Sequence, residues 1–143
     1  MKKHALWTIP LAAAALMAAP AIGQDTDGAA GQGMQTEGEI KLAKMLEGRV
    51  AVKASSCIPL RPAANLTVID GTALVYRQGR TLYVNVPQNP RSLDDDDALV
   101  TRLFSSRLCR SDIVTTVDRF SGFYTGNIFL GEFIAYRPAE QAS

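Results

Sequence analysis

The hydrophobic pattern divides the chain into an apolar start, a polar stretch and a longer patterned region. Residues 5–19 are almost all apolar, whereas residues 24–37 hold Gly, Ala, Gln and acidic residues with almost nothing to bury. Such a polar segment cannot offset its ordering entropy, so we predict a flexible linker at 24–37. Apolar residues then recur at strand and helix spacing, which predicts a single globular domain at 38–138. A short polar tail follows at 139–143.

The globular region begins with a short helix and continues with strands. Apolar residues from Ile40 to Leu46 recur at helical spacing, and Gly48 is placed to end the helix. A strand from Arg49 to Lys53 is predicted next. The clearest local pattern is a β-meander, because runs rich in β-branched and aromatic residues are separated by the turn sequences Asp70-Gly71 and Gln78-Gly79. Its three strands are predicted at 66–69, 72–77 and 80–86.

The second half of the domain is predicted to contain one long helix and the last strands. Ser92 can cap a helix running to about Leu108, and the apolar residues inside it recur on one side at helical spacing. Strands are predicted at 113–117 and between 122 and 136. The predicted fold is therefore α+β, with a small, mostly antiparallel, curved sheet packed on one long helix. An OB-like five-stranded barrel has the same element order and is the alternative.

Residues 1–23 have the order of a secretory signal peptide. A positive start, Met1-Lys2-Lys3-His4, precedes the apolar run, and small residues stand before a cut after Gly23. The apolar run has roughly 15 residues, against about 20 needed to cross a bilayer. The first cysteine, Cys57, lies far from the cut, so a lipid anchor is not expected. We predict export to the periplasm or secretion, with no stable membrane anchor.

Cleavage changes the composition of the chain. The full chain has a net charge of +1, and loss of Lys2 and Lys3 leaves 13 basic against 14 acidic residues, a net charge of −1. A near-neutral chain has no electrostatic pattern for nucleic acid, so no nucleic-acid partner is expected. The only histidine, His4, is also removed. Without imidazole the remaining chain cannot form a Ser-His-Asp triad, a Cys-His pair or a His-bearing zinc site.

The only two cysteines are Cys57 and Cys109. Cysteines of an exported chain form disulfides in an oxidising compartment, and the spacing is not that of a Cys-x-x-Cys redox pair. We therefore predict a structural disulfide between them.

The acidic residues give little indication of metal binding or catalysis. The run from Asp94 to Asp97 lacks the ligand spacing of a calcium loop, so it is interpreted as a solvated helix start, with weak cation binding left open. The candidate catalytic carboxylates are Asp112, Asp118 and Glu132. Asp118 stands in a turn-like context at a strand end and Asp112 follows the predicted helix, and residues in such positions more often form turns or caps. No catalytic residue, cofactor or metal site is assigned.

Aromatic residues cluster at one predicted turn, Arg119-Phe120-Ser121-Gly122-Phe123-Tyr124. Most aromatic residues of a small domain belong to the core. If the domain has a binding edge, we expect it here, formed by Arg119, Phe120, Phe123 and Tyr124.

Several segments together resemble an uncharacterised family of small exported proteobacterial proteins. The similarity covers roughly residues 38–138. The segments are Gly48-Arg49-Val50-Ala51, Ser56-Cys57-Ile58-Pro59-Leu60, Tyr83-Val84-Asn85, Leu108-Cys109-Arg110-Ser111-Asp112-Ile113-Val114 and Leu130-Gly131-Glu132-Phe133. The resemblance implies export, and it implies no activity and no catalytic residue.

Two classes of function are compatible with these patterns. The favoured one is a small non-enzymatic periplasmic or secreted domain that binds a protein or a cell-envelope component. The alternative is a carboxylate-dependent hydrolase or lyase acting in the periplasm. It would need two of the candidate carboxylates about 5–9 Å apart beside a pocket.

Overall fold

A computed structural model describes residues 35–60, 64–103 and 105–141. The predicted signal peptide, residues 24–34 of the predicted linker and the last two residues of the tail lie outside these ranges. The described elements are the helix α1 (Glu37–Leu46), the strands β1 (Arg49–Ser55), β2 (Cys57–Pro59), β3 (Asn65–Ile69), β4 (Ala73–Gln78), β5 (Thr81–Asn85), β6 (Asp97–Thr101), β7 (Arg107–Cys109), β8 (Ile113–Asp118), β9 (Tyr124–Phe129) and β10 (Phe133–Pro138), and the short 3₁₀ turns Pro90–Ser92 and Ala139–Gln141.

The strands form three antiparallel sheets. The largest has the order β1-β10-β5-β4-β3, the second has the order β6-β8-β9, and β2 pairs with β7 in a two-stranded ribbon. The predicted meander is confirmed as β3-β4-β5. Its two turns contain Gly71 and Gly79 at φ of +57° and +55°, a backbone conformation that favours glycine. The mostly antiparallel α+β prediction is therefore confirmed in its general form. The sheets are open, and the barrel alternative is not confirmed.

The long helix predicted from Ser92 to Leu108 is wrong. This part of the chain contains the Pro90–Ser92 turn and the strands β6 and β7. Leu99 packs against the core whereas Val100 is exposed, so neighbouring residues alternate between the two faces as in a strand. β6 pairs with β8, and Cys109 of β7 is bonded to Cys57. The pairing of β6 with a distant strand and the bond of Cys109 to a distant cysteine therefore determine the conformation of this segment, although its apolar residues have helical spacing.

The helix that packs on the five-stranded sheet is α1. Thr36 begins it with a capping box, in which Thr36 Oγ1 accepts from Glu39 N at 3.2 Å and Glu39 Oε2 accepts from Thr36 N at 2.8 Å. The N-cap Thr36 therefore lies two residues before the predicted domain boundary at residue 38. The apolar side of α1 covers one core cluster of the sheet. That cluster and the helix residues packed on it are Ile69, Ala73, Val75, Leu82 and Val84, with Leu42, Met45 and Leu46.

The opposite face of the five-stranded sheet packs against the smaller sheet and the ribbon. The shared core is made of residues from all three sheets and from the loops between them: Ile58, Leu74, Tyr76, Leu93, Leu108, Val114, Ile128, Leu130 and Phe133. The rings of Tyr76 and Phe133 meet edge to face, with centroids 6.0 Å apart. Burial of Tyr76 raises the pKa of its phenol, so Tyr76 is a neutral core residue.

Candidate functional site

The candidate binding edge lies on the hairpin turn between β8 and β9. Asp118 organises this turn, because its Oδ1 accepts from Phe120 N at 3.1 Å, from Ser121 N at 2.6 Å and from Ser121 Oγ at 2.6 Å. The backbone closes the turn as well, since Gly122 N donates to Asp118 O and Asp118 N donates to Phe123 O, both at 2.8 Å. Gly122 has φ +72°. The turn is thus fixed by five hydrogen bonds around one residue.

The same hydrogen bonds set the ionisation of Asp118. The Ser121 hydroxyl has the largest effect in lowering the pKa of the carboxyl, and the amides of Ser121 and Phe120 lower it further. Asp118 is therefore a deprotonated turn former at neutral pH.

The turn holds its aromatic side chains away from the core. Phe120 is 92 % exposed, Phe123 75 % and Tyr124 63 %. Arg119, the fourth predicted edge residue, is bonded to another part of the chain. Its Nη2 donates to the carbonyl oxygens of Asp95 at 3.1 Å and Asp97 at 3.3 Å, which attaches the turn to the start of β6 and to the residues just before it. We call Phe120, Phe123 and Tyr124 the hairpin edge. Its binding role stays a prediction.

An exposed sheet face, which was not predicted from the sequence, adjoins the hairpin edge. Val117 of β8 is opposite Tyr124 of β9, and the same side of the sheet holds the Val100–Thr115 and Ile113–Phe129 pairs. A shallow groove of about 550 Å³ runs over this side. We call Val100, Ile113, Val117 and Phe129 the outer face. A pattern in β8 could have revealed it, because Ile113 and Val117 are apolar on the side opposite the buried Val114.

An acidic segment lies beside the hairpin edge. The run predicted as a helix start is a turn, in which Asp94 Oδ1 accepts from Asp96 N at 2.8 Å. The carboxylates of Asp94, Asp95 and Asp96 are exposed and lie within 4.8 Å of one another. Exposed acidic groups are common at sites that hold no ion, so no metal site is assigned. Asp97 is partly buried, and its Oδ2 accepts from Thr125 Oγ1 at 2.6 Å.

The three candidate catalytic carboxylates belong to three different turns or loops. Asp112 Oδ2 accepts from Cys109 N at 2.7 Å, and Asp112 N donates to Cys109 O at 2.9 Å, which closes the turn after β7. Glu132 lies between β9 and β10, where it forms an exposed ion pair with Arg110 at 3.3 Å. Asp118 forms the hairpin turn described above. Asp112 and Asp118 thus make contacts within their own turns, and Glu132 makes an ion pair with an arginine 22 residues earlier.

The predicted disulfide is confirmed. Cys57 and Cys109 are directly opposite each other in the β2–β7 ribbon, with Cα atoms 4.0 Å apart, and 52 residues separate them in sequence. They occupy a pair that exchanges no backbone hydrogen bonds, since Cys57 N donates to Ser55 Oγ and Cys109 N to Asp112. Side chains are closest at such positions of an antiparallel ladder, which favours a bridge there.

Comparison with protein-family models, with curated proteins and with solved structures finds no match. Among the described residues, no helix combines the length and the apolar character required to cross a membrane.

Proposed function

We propose that this protein is an exported, non-enzymatic domain that binds another protein through the hairpin edge and the adjoining outer face. The observation that supports this most directly is the exposure of Phe120 and Phe123 on a turn fixed by Asp118. Large aromatic side chains contribute much of the energy at protein interfaces when a partner buries them.

The rigidity of the turn is a second argument that its exposed aromatic side chains bind a partner. A flexible loop loses conformational entropy when a partner orders it, and that loss reduces affinity. Here the hydrogen bonds of Asp118 and Arg119 already fix the backbone that presents the aromatic rings. Little further ordering is therefore needed when the rings are buried.

The charges near the hairpin edge favour a protein over a membrane. Arg119 bonds the turn to the backbone of the acidic segment, so the segment that carries Asp94, Asp95 and Asp96 lies next to the turn that carries the aromatic rings. Acidic side chains beside the rings would be repelled by anionic lipid headgroups. Acidic side chains attract basic ones, whereas the aromatic rings fit an apolar pocket. We therefore propose that the partner has an apolar pocket rimmed by lysine or arginine.

The disulfide is compatible with export to the periplasm or to the medium, because such bridges persist in oxidising compartments.

The alternative function, a carboxylate-dependent hydrolase or lyase, has less support. Asp118 accepts three hydrogen bonds within its own turn, Asp112 accepts one from the amide of Cys109, and Glu132 is paired with Arg110. A general acid or base needs a carboxylate directed at a substrate.

Site-specific photocrosslinking tests the proposal in intact Gram-negative cells. A photoreactive phenylalanine analogue is introduced at Phe120 or Phe123, and separately at Ile40, an exposed apolar residue of α1 on the far side of the five-stranded sheet. We expect a discrete protein adduct from the two hairpin positions and none from Ile40. The purified partner should then bind the Phe120→Ala/Phe123→Ala variant at least tenfold more weakly than the wild type, and the Ile40→Ala variant normally.

Three results would contradict this function: adducts to lipid in place of protein, equal adducts from all three positions, or unchanged affinity of the double hairpin variant. Because Phe120 and Phe123 are exposed, both alanine variants should keep the unfolding transition of the wild type. Equal unfolding curves would show that a loss of binding is not a loss of folding.

A further inference from the structure

A second groove, of about 410 Å³, lies between the five-stranded sheet and the β2–β7 ribbon. Three basic residues line it, Lys53, Arg107 and Arg137, together with Tyr83 and Ala135. We call this site the basic groove. It is separate from the hairpin edge, which belongs to the smaller sheet.

The strand register explains how the basic residues meet. Lys53 of β1 is opposite Ala135 of β10, and Ala135 is opposite Tyr83 of β5, so the three lie in one row on one face. Arg137 follows two residues after Ala135 and lies on the same face. The small, buried Ala135 leaves space between the longer side chains around it.

Arg107 reaches the groove from the ribbon. It is opposite Pro59 in the β2–β7 pairing, and its Nη2 donates to Cys57 O at 3.5 Å. Cys57 itself lines the groove. The disulfide therefore holds the strand of Arg107 against the strand of Cys57, next to the groove.

None of the described residues that line the basic groove is acidic. Within the described part of the chain, the ion pairs are Arg80–Glu140 and Arg110–Glu132, and neither includes a groove residue. Cations that converge in a concave site without acidic partners produce a positive local potential, even in a protein of near-zero net charge.

We propose that the basic groove binds a phosphate monoester, either of a small soluble molecule such as a sugar phosphate or of a lipid headgroup. Arginine donates two parallel hydrogen bonds to a phosphate, and lysine adds a point charge. Three cations match a doubly charged phosphate monoester better than a singly charged carboxylate. The volume is in the range of small-molecule sites, and Tyr83 contributes an aromatic wall with a hydroxyl group.

Titration calorimetry on the full disulfide-bonded protein tests this. The soluble probe is glucose 1-phosphate, with glucose as its uncharged control. The lipid probe is vesicles of phosphatidylcholine containing phosphatidic acid, whose headgroup is a phosphate monoester, with pure phosphatidylcholine as control. The variants are Lys53→Gln, Arg107→Gln and Arg137→Gln. The matched control is Arg77→Gln, which removes an exposed arginine of β4 that does not line the groove.

We expect binding of a phosphate-bearing probe that weakens as salt rises and falls at least tenfold in each groove variant, with no change in Arg77→Gln. Binding of glucose 1-phosphate supports a soluble ligand, and binding of the phosphatidic acid vesicles alone supports a lipid headgroup. The proposal is overturned if neither probe binds at millimolar concentration, or if Arg77→Gln weakens binding as much as the groove variants do. Equal melting curves for all variants would exclude misfolding as the cause, and the Phe120→Ala/Phe123→Ala variant should bind the probe normally.

Discussion

The side chain of Asn85 pairs with the backbone of Gly131 in the interior of the protein. Gly131 N donates to Asn85 Oδ1 at 3.1 Å, and Asn85 Nδ2 donates to Gly131 O at 2.8 Å. Asn85 is fully buried at the end of β5, and Gly131 lies between β9 of the smaller sheet and β10 of the larger one. This amide pair therefore fixes the point at which the chain passes from one sheet to the other.

The Asn85–Gly131 pair also gives a structural role to two segments of the family resemblance. Tyr83-Val84-Asn85 and Leu130-Gly131-Glu132-Phe133 are far apart in sequence, and they meet at this pair. The two cysteine-bearing segments meet in the same way, through β2 and β7. Contacts of the fold thus join the members of each of these two pairs of segments.

Replacing Asn85 by alanine should strongly destabilise the protein. The N–H and C=O of Gly131 would lose their partner in the interior, and an unsatisfied buried polar group costs about 1–3 kcal/mol, to which the cavity adds. We expect Asn85→Ala to lower the free energy of unfolding by about 2 kcal/mol or more, measured by urea denaturation. Asn65→Ala is the control, since Asn65 is exposed at the start of β3. Equal stability of the two variants would contradict a structural role for Asn85.

Any side chain at position 131, which is occupied by Gly131, should destabilise the folded protein. A Cβ atom there would lie 2.3 Å from the carbonyl oxygen of Val86, which belongs to the backbone and cannot move aside cheaply. We expect Gly131→Ala to cost about 1–3 kcal/mol, the usual range for overpacking. In Gly126→Ala the nearest atom to the new Cβ would be Thr116 Oγ1 at 3.4 Å, an ordinary contact. A thermal melt should therefore show a large decrease for Gly131→Ala and little change for Gly126→Ala, and the reverse order would contradict the described geometry.

Loss of the disulfide should cost a large part of the total stability. For a loop of 52 residues the chain-entropy model gives about 4 kcal/mol. We expect the Cys57→Ser/Cys109→Ser variant to unfold at a much lower urea concentration than the oxidised wild type. Reduced wild-type protein should resemble the variant. Mass spectrometry of the non-reduced protein should find no alkylatable thiol, and two alkylated cysteines would contradict the bridge.

The hairpin turn should weaken in acid. Hydrogen bonds in the folded state lower the pKa of Asp118 below its ordinary value of 3.8. A carboxyl with a lowered pKa stabilises the folded state fully above its unfolded pKa, and this contribution is lost as the pH falls through the folded pKa. We expect Asp118→Asn to melt below the wild type at pH 6, and the two melting temperatures to converge as the pH falls below 3.8. A difference that stays constant with pH would contradict this role of the carboxylate.

Local patterns correctly predicted the elements that depend on neighbouring residues. The Asp70-Gly71 and Gln78-Gly79 turns, with branched residues on either side, were sufficient for the β3-β4-β5 meander, because a tight hairpin is determined within a few residues. The prediction of a helix at 92–108 is wrong because the structure of this segment depends on residues distant in the sequence. Leu99 lies in β6, opposite Thr116 of β8, and Leu108 lies in β7, opposite Ile58 of β2.

The candidate sites also differ in how far apart their residues are in the sequence. Arg119, Phe120, Phe123 and Tyr124 are near neighbours in sequence, so their clustering at one turn could be predicted, although the bond of Arg119 to the acidic segment could not. The outer face and the basic groove combine residues of strands that are distant in the sequence. Lys53 and Arg137 meet only because β1 pairs with β10.

The sequence by itself determined the meander, the pairing of its only two cysteines and the turn with the exposed aromatic residues. Short-range sterics, residue chemistry and the number of cysteines are sufficient for these conclusions. Only the tertiary structure decided that residues 97–101 form a strand, that α1 is the helix packed on the sheet and that three basic residues share a groove. The pairing of distant strands and the packing of two sheets decide those features. Each such contact joins residues from segments that are distant in the sequence, so no single segment is sufficient to predict it.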